Sequence, residues 1–207
     1  MNLSAEELYN RFVNRKDVFA EQMTSGAYIP VKREITIKDI EEHIEGKKTI
    51  GLYCLTPDNL VKWACVDMDL SERCPICTGK GDTKGDGVWI CGEPTCFKKW
   101  AGSSLNSLEE ESDAIFNLFP EFDRMKESSG RRGYHIWVFF EKPEFASYAQ
   151  RLVKSRLNTK GLLKFEVFPK QTELGPTRLY GNLVKMPMGK HKKSGKFSEI
   201  IRYSEAK

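Results

Sequence analysis

The stretch Val61-Lys62-Trp63-Ala64-Cys65-Val66-Asp67-Met68-Asp69-Leu70 places two carboxylates one residue apart at the end of an apolar run. Side chains two apart on a strand point to the same face, so Asp67 and Asp69 project together. Like charges at the end of a buried strand repel each other and are costly to desolvate. A cation between them removes both penalties, and magnesium and manganese are ions that favour oxygen ligands. The plainer alternative is a strand that simply ends here with both carboxylates in water, the commoner meaning of an isolated Asp-x-Asp.

Two further stretches carry groups of a complementary kind. In Leu163-Lys164-Phe165-Glu166-Val167-Phe168-Pro169, alternation puts Leu163, Phe165 and Val167 on one face and Glu166 on the other, a third carboxylate on a strand. Met125–Ser129 and Tyr134–Phe140 flank Gly130-Arg131-Arg132-Gly133, which reads as a hairpin with a basic tip. Glycines let backbone approach a ligand, and Ser129, Arg131, Arg132 and His135 are all donors of the kind that hold phosphate. Taken alone, such a tip is a solvated turn and a lone histidine on an apolar strand is a packed core residue.

The six cysteines divide by spacing. Cys74-Pro75-Ile76-Cys77 and Cys91-Gly92-Glu93-Pro94-Thr95-Cys96 are two short loops about a dozen residues apart, the pattern of a four-thiolate tetrahedral zinc knuckle. The segment has little hydrophobic content and would otherwise lack a core. Four thiolates leave no open coordination position, so this zinc holds shape and does not catalyse. Cys54 and Cys65 lie on apolar strands and read as buried thiols.

The elements that must position these groups follow from pattern. Ser4 with Glu7 forms a capping box, and Leu8, Phe12, Val13, Phe19 and Met23 follow a helical stripe, so an amphipathic helix is expected over residues 4–23. Tyr28–Val31 is too short and Pro-interrupted for a central strand, and Thr36 caps a short helix running to Ile44. Thr49–Leu55 and Val61–Met68 are strands separated by the turn formers Thr56-Pro57-Asp58-Asn59. Ser107 with Glu110 opens a helix that Pro120 stops, with Leu108, Ile115, Leu118 and Phe119 inward. Phe145–Leu157 reads as a helix burying Phe145, Tyr148, Leu152 and Leu157. A strand in Gly181–Met188 leads into the basic loop Lys190-His191-Lys192-Lys193, and a last strand spans Phe197–Tyr203.

With 207 residues and 40% hydrophobic content, the chain supports a real core in one large domain or two small ones. Lys+Arg 33 against Asp+Glu 29 is a mild excess, but from Lys160 onward the ratio is eleven to four, where a polyanion would be attracted. No run approaches the roughly 18 apolar residues of a membrane span, and Asn2-Leu3-Ser4-Ala5-Glu6-Glu7 does not begin a signal peptide. A cytoplasmic protein with no membrane partner is expected.

In chain order these pieces resemble the catalytic domain of the archaeo-eukaryotic primase superfamily, the primase-polymerases. That family's first motif is a strand ending Asp-x-Asp. Its second, in relatives that include the polymerase domains of bacterial end-joining ligases, runs Ser-Gly-x-Lys/Arg-Gly-x-His, matched by Ser129-Gly130-Arg131-Arg132-Gly133-Tyr134-His135. Its third is one acidic residue on a strand, here Glu166 where many relatives carry aspartate. Phe168-Pro169-Lys170-Gln171, Gly181-Asn182 and Met188-Gly189, with the cysteine knuckle, are similar to the branch found in prokaryotic conflict systems and beside CRISPR genes. The resemblance runs from Leu52 to His191. Two departures stand out: Glu166 is one methylene longer than aspartate, and Gly133 stands where some primases place the serine of a shorter Ser-x-His motif, leaving Ser129 to supply the hydroxyl.

The resemblance implies an α/β fold, with an RRM-like antiparallel sheet in residues 103–207, an N-terminal α/β part that carries a second sheet and the helical support of 1–48, and a zinc-knuckle insertion at 71–102. It implies a template-dependent nucleotidyltransferase that makes or extends nucleic-acid primers. Asp67, Asp69 and Glu166 would hold two magnesium or manganese ions, and Ser129, Arg132, His135 and Lys185 would bind the nucleotide. Arg131, Lys170, Lys190, Lys192 and Lys193 would contact nucleic-acid phosphates. The implied partners are single-stranded DNA template and primer, nucleoside triphosphates, and accessory domains or CRISPR or conflict-system proteins. Two other functions use parts of this set: a two-metal nuclease needs the carboxylates but not the triphosphate donors, and a non-catalytic zinc-containing nucleic-acid binder needs only the knuckle and the basic face. Freshly purified, unchelated protein is expected to carry one zinc ion per chain on metal analysis, and Cys74→Ser to lose it and destabilise the knuckle locally.

Overall fold

The Ser4 hydroxyl accepts from the Glu7 amide while the Glu7 carboxylate accepts from the Ser4 amide, and α1 (Ala5–Phe12) starts from this reciprocal cap. Leu8 and Phe12 are its buried stripe. The helix stops there, short of residue 23. Past its end, the Asn14 side chain donates to the Cys54 carbonyl at 2.7 Å and accepts from the Lys62 amide at 2.8 Å. Phe19–Gln22, expected as the second half of the helix, is strand β1. Its backbone pairs on both sides, with β2 (Tyr28–Val31) and with β3 (Ile50–Tyr53), and that tertiary pairing overrides the helical stripe. The second helix, α2 (Ile37–Ile44), is capped by Thr36 as the sequence indicates, with Asp39 completing the box.

A computed structural model describes residues 2–70, 81–84, 88–91 and 101–206, with 81–84, 88–91 and 101–106 as backbone. The knuckle ligands Cys74, Cys77 and Cys96, and the side chain of Cys91, lie outside the described residues. The remaining strands are β4 (Leu60–Asp69), β5 (Gly81–Lys84), β6 (Val88–Cys91), β7 (Asp123–Ser128), β8 (Gly133–Phe145), β9 (Glu166–Phe168), β10 (Leu183–Lys185) and β11 (Glu199–Ser204). Five form one antiparallel sheet in the order β11-β7-β8-β4-β9; four form another, β10-β3-β1-β2; β5 and β6 pair as a hairpin. Each larger sheet draws on both halves of the chain. The Thr56–Asn59 turn therefore carries the chain from one sheet to the other.

Behind the sheets, Trp63 donates its indole N–H to the Phe12 carbonyl at 2.8 Å and meets Trp137 edge-on at 4.8 Å. The helix α3 (Ala101–Phe116) begins before Ser107, so Ser107 and Glu110 lie inside it and do not cap it. In α4 (Ala146–Asn158) the buried face is Ala146, Ala149, Val153 and Leu157, while Phe145 and Tyr148 are exposed. Small residues let the helix lie close to the sheet, and the expected face is turned by one residue, about 100°. Leu163, expected inward, is exposed.

One buried histidine fastens the four-stranded sheet. His43 on α2 accepts the Ile50 amide at Nδ1 (2.9 Å), so its Nε2–H donates to the carbonyls of Met186 (3.2 Å) and Pro187 (3.0 Å). The ring fills the space over Gly189, where a Cβ would lie 1.9 Å from it. Burial, seconded by Lys185, pushes this imidazole down to about 4. An unfolded histidine titrates near 6.5, so between the two values the unfolded chain binds a proton that the native chain refuses. The stability carried by neutral His43 is complete above about pH 6.5 and is lost as the pH falls toward 4, about 3 kcal/mol in all. Urea unfolding across that window is expected to show this component in the wild type and not in His43→Gln, which keeps a donor and an acceptor but does not titrate.

Candidate active site

The turn between β7 and β8 closes as its glycines indicate: Gly130 adopts φ +77°, and the Ser129 amide donates to the Gly133 carbonyl at 2.9 Å. From this tip the register pairs Glu127 with His135, His135 with Asp67, and Asp67 with Glu166. Residues directly opposite share a face, so these four form one row across β7, β8, β4 and β9. Asp69 stands opposite Gly133, two residues further on the same face. Glycine is needed there, because a Cβ at 133 would lie 1.9 Å from the Met68 carbonyl and 2.8 Å from Asp69 Oδ1. A serine at that point has no room in this backbone.

The row is electrically uneven. About a quarter of the Asp67 side chain (24%) reaches solvent, but its Oδ1 is shut off and has no hydrogen bond, with His135 Nε2 3.6 Å away. Burial pushes the Asp67 carboxyl up to about 6; His135 pulls it down, and Asp69 and Glu166 add to the rise. Asp69 and Glu166 are held by cations, Asp69 by Arg132 at 2.9 and 3.0 Å and Glu166 by Lys170 at 2.6 Å. At the far end Glu127 is fully buried. Burial opposes its ionisation, yet Lys185 and His135 outweigh that and hold it down at about 2. For His135 burial favours the neutral ring, but Glu127 and Asp67 win and its pKa is raised. Burial lowers that of Lys185, against the pull of Glu127.

Asp67, Asp69, Ser129, Arg131, His135 and Lys185, all singled out from the sequence, line one cleft of about 180 Å³ between the two sheets. Glu166 and Arg132 adjoin it through their neighbours in the row and at the tip. The basic loop divides: Lys193 is exposed, whereas the Lys192 ammonium donates to the Gly46 and Lys47 carbonyls at 3.4 and 3.0 Å, past the end of α2. The Lys190 carbonyl accepts from the Thr49 hydroxyl. Sequence reasoning missed Glu127, Gln22, Tyr28 and His191, which also belong to the row or the cleft. Counting back from the glycine tip would have placed Glu127 opposite His135. Gln22 and Tyr28 gave no signal, because the first lay in a segment read as helix.

Among the described residues no group of three or more His, Cys, Asp and Glu is arranged to hold a metal ion by itself. The donor chemistry nonetheless fits one: a buried carboxylate oxygen without a partner, with two further carboxylates beside it whose present partners are flexible basic side chains. Residues 4–205 match the family model described as the archaeo-eukaryotic primase domain of the TOTE conflict system. The chain belongs to this family. No curated protein matches it. A primase domain of this family has a primase- or nucleotidyltransferase-like role in a conflict system, and its mixed α/β architecture with antiparallel sheets is the one seen here. No described helix is long and apolar enough to cross a membrane.

The closeness of β8 to β4 at the Asp-x-Asp strand generates a direct test. Gly133→Ala in this primase domain must push Met68 away, at a cost of about 3 kcal/mol or more. A lowered urea midpoint with an unchanged slope is the expected result.

Proposed function

We propose that this primase domain is a template-dependent nucleotidyltransferase that synthesises or extends nucleic-acid primers from nucleoside triphosphates on single-stranded DNA. One juxtaposition carries the reading: the carboxylates Asp67 and Asp69 line a single cleft together with Ser129, His135 and Lys185, acidic groups beside the donors that a triphosphate needs. Magnesium or manganese held by Asp67, Asp69 and Glu166 would supply the positive charge that nucleotidyl transfer requires at the attacking and leaving oxygens.

The chain's own residues account for recognition. The Ser129 hydroxyl is buried without a partner and has a hydrogen to give. His135, tied at Nδ1 to Glu127, keeps Nε2 on the Asp67 side. Lys185 contributes the charge of a buried ammonium, and Arg132 reaches a phosphate by exchanging it for Asp69. Charge-assisted donors preset in a partly dry cleft orient a triphosphate more strongly than they would in water. Arg131, Lys170, Lys190 and Lys193 are assigned to backbone phosphates of the template or primer, with Lys192 bracing the same loop. Cys74, Cys77, Cys91 and Cys96 are assigned to a structural zinc.

The fold gains little from Asp67, whose inner oxygen is unsatisfied. Asp67→Ala combined with Asp69→Ala is therefore expected to abolish primer extension while leaving thermal stability unchanged or raised. The assay contains magnesium or manganese, a single-stranded template, primer and labelled nucleotides. Near-normal extension by the folded double variant would end the polymerase reading; shortening of the strand by the wild type would mark a nuclease, and binding without turnover a non-catalytic module.

A further inference from the structure

Glu127 lies at 0% exposure in the middle of a sheet, and the chemistry assigned above does not touch it. Burying a carboxylate costs several kcal/mol unless hydrogen-bonded partners surround it. Glu127 Oε2 accepts from His135 Nδ1 at 3.0 Å and from Trp137 Nε1 at 2.9 Å. Its Oε1 stands 3.5 Å from Lys185 Nζ, which has a nearer partner in Ser198 Oγ at 2.7 Å. Trp137 is a core residue. The other two neighbours line the cleft, and they arrive from different sheets, His135 on β8 and Lys185 on β10.

Plain core packing would need neither a charge nor two cleft-lining basic groups around it. We infer that Glu127 is a positioning residue, one that takes the Nδ1–H of His135 so that Nε2 faces the cleft, and tethers the Lys185 ammonium so that both groups meet a triphosphate in preset places, a role that rests on the nucleotidyltransferase reading for its substrate but not for its geometry. The chain has three histidines. Nδ1 of His43 accepts the Ile50 amide and Nδ1 of His191 accepts the Ser194 amide at 3.3 Å, so both of those rings carry hydrogen on Nε2. His135 is thus the one histidine whose Nδ1 carries a hydrogen.

That asymmetry makes the anchor visible without any assay of activity. Nitrogen-15 spectra of the histidine-labelled full chain near neutral pH should show one ring with a hydrogen-bonded Nδ1–H and two with bare Nδ1. Glu127→Gln keeps the side-chain shape but loses the charge and one acceptor. It should move the Nδ1–H signal and weaken binding of ATP and dATP, titrated with magnesium present, by about ten- to a hundredfold. Trp137→Phe removes a second donor from the same oxygen and some core packing, so it should lower stability and shift the Nδ1–H signal without abolishing it. A wild-type spectrum with no Nδ1–H ring overturns the inference, whether or not Glu127→Gln folds. A folded Glu127→Gln with an unmoved signal or unmoved nucleotide affinity overturns it as well. If the wild type binds neither nucleotide while the signal is present and shifts in the variant, the nucleotidyltransferase reading falls and the anchoring stands.

Discussion

A carboxylate sealed in the centre of a sheet dictates what its neighbours can be. Glu127 is tolerated only because an imidazole, an indole and an ammonium converge on it, and meeting that demand settles the direction of each. Orienting His135 in turn decides what faces Asp67 across the β8–β4 pairing. The order along the row is therefore electrostatic: a carboxylate fully satisfied by the protein at one end and, past the histidine, one with an oxygen left over. What is left over lies beside the cleft, where a ligand can supply it.

The same demand ties the two sheets together. Lys185 belongs to the four-stranded sheet and Glu127 to the five-stranded one, so their approach is a contact between layers built on buried charge. His43 works on the four-stranded sheet from the opposite direction, holding the Met186–Pro187 backbone against Ile50 and so fixing where β10 ends. A ring with no exposed surface and a glycine pressed against it leave that segment little freedom to shift.

Much of the site was legible in the residues because it obeys local rules. Period two put Asp67 and Asp69 on one face, a glycine at each end of a four-residue tip marked the hairpin, and Thr36 announced its helix. Where the reading failed, partners far along the chain decided the outcome. Phe19–Gln22 satisfies a helical stripe, but residues 28–31 and 50–53 offer its backbone two ladders. Arg124, Lys126 and Glu127 are three charged residues on one strand, yet all three are buried, and Lys126 reaches Asp113 on α3 to be so. In α4 the alanines, not the aromatics, are buried, because small side chains let the helix lie close to the sheet, which is invisible in hydrophobicity alone.

The placement of β10 also sets a clock. Chains leave the ribosome from the N-terminus and organise as they emerge. The acidic row is complete once Glu166 is out, but the lysine that balances Glu127 comes with residues 183–185, and the serine that steadies it only at 198. Until then Glu127 lacks its ammonium partner and the four-stranded sheet lacks an edge strand. Closure of the cleft therefore waits for residues 183–198, and a copy stalled before residue 183 lacks the ammonium that faces Glu127.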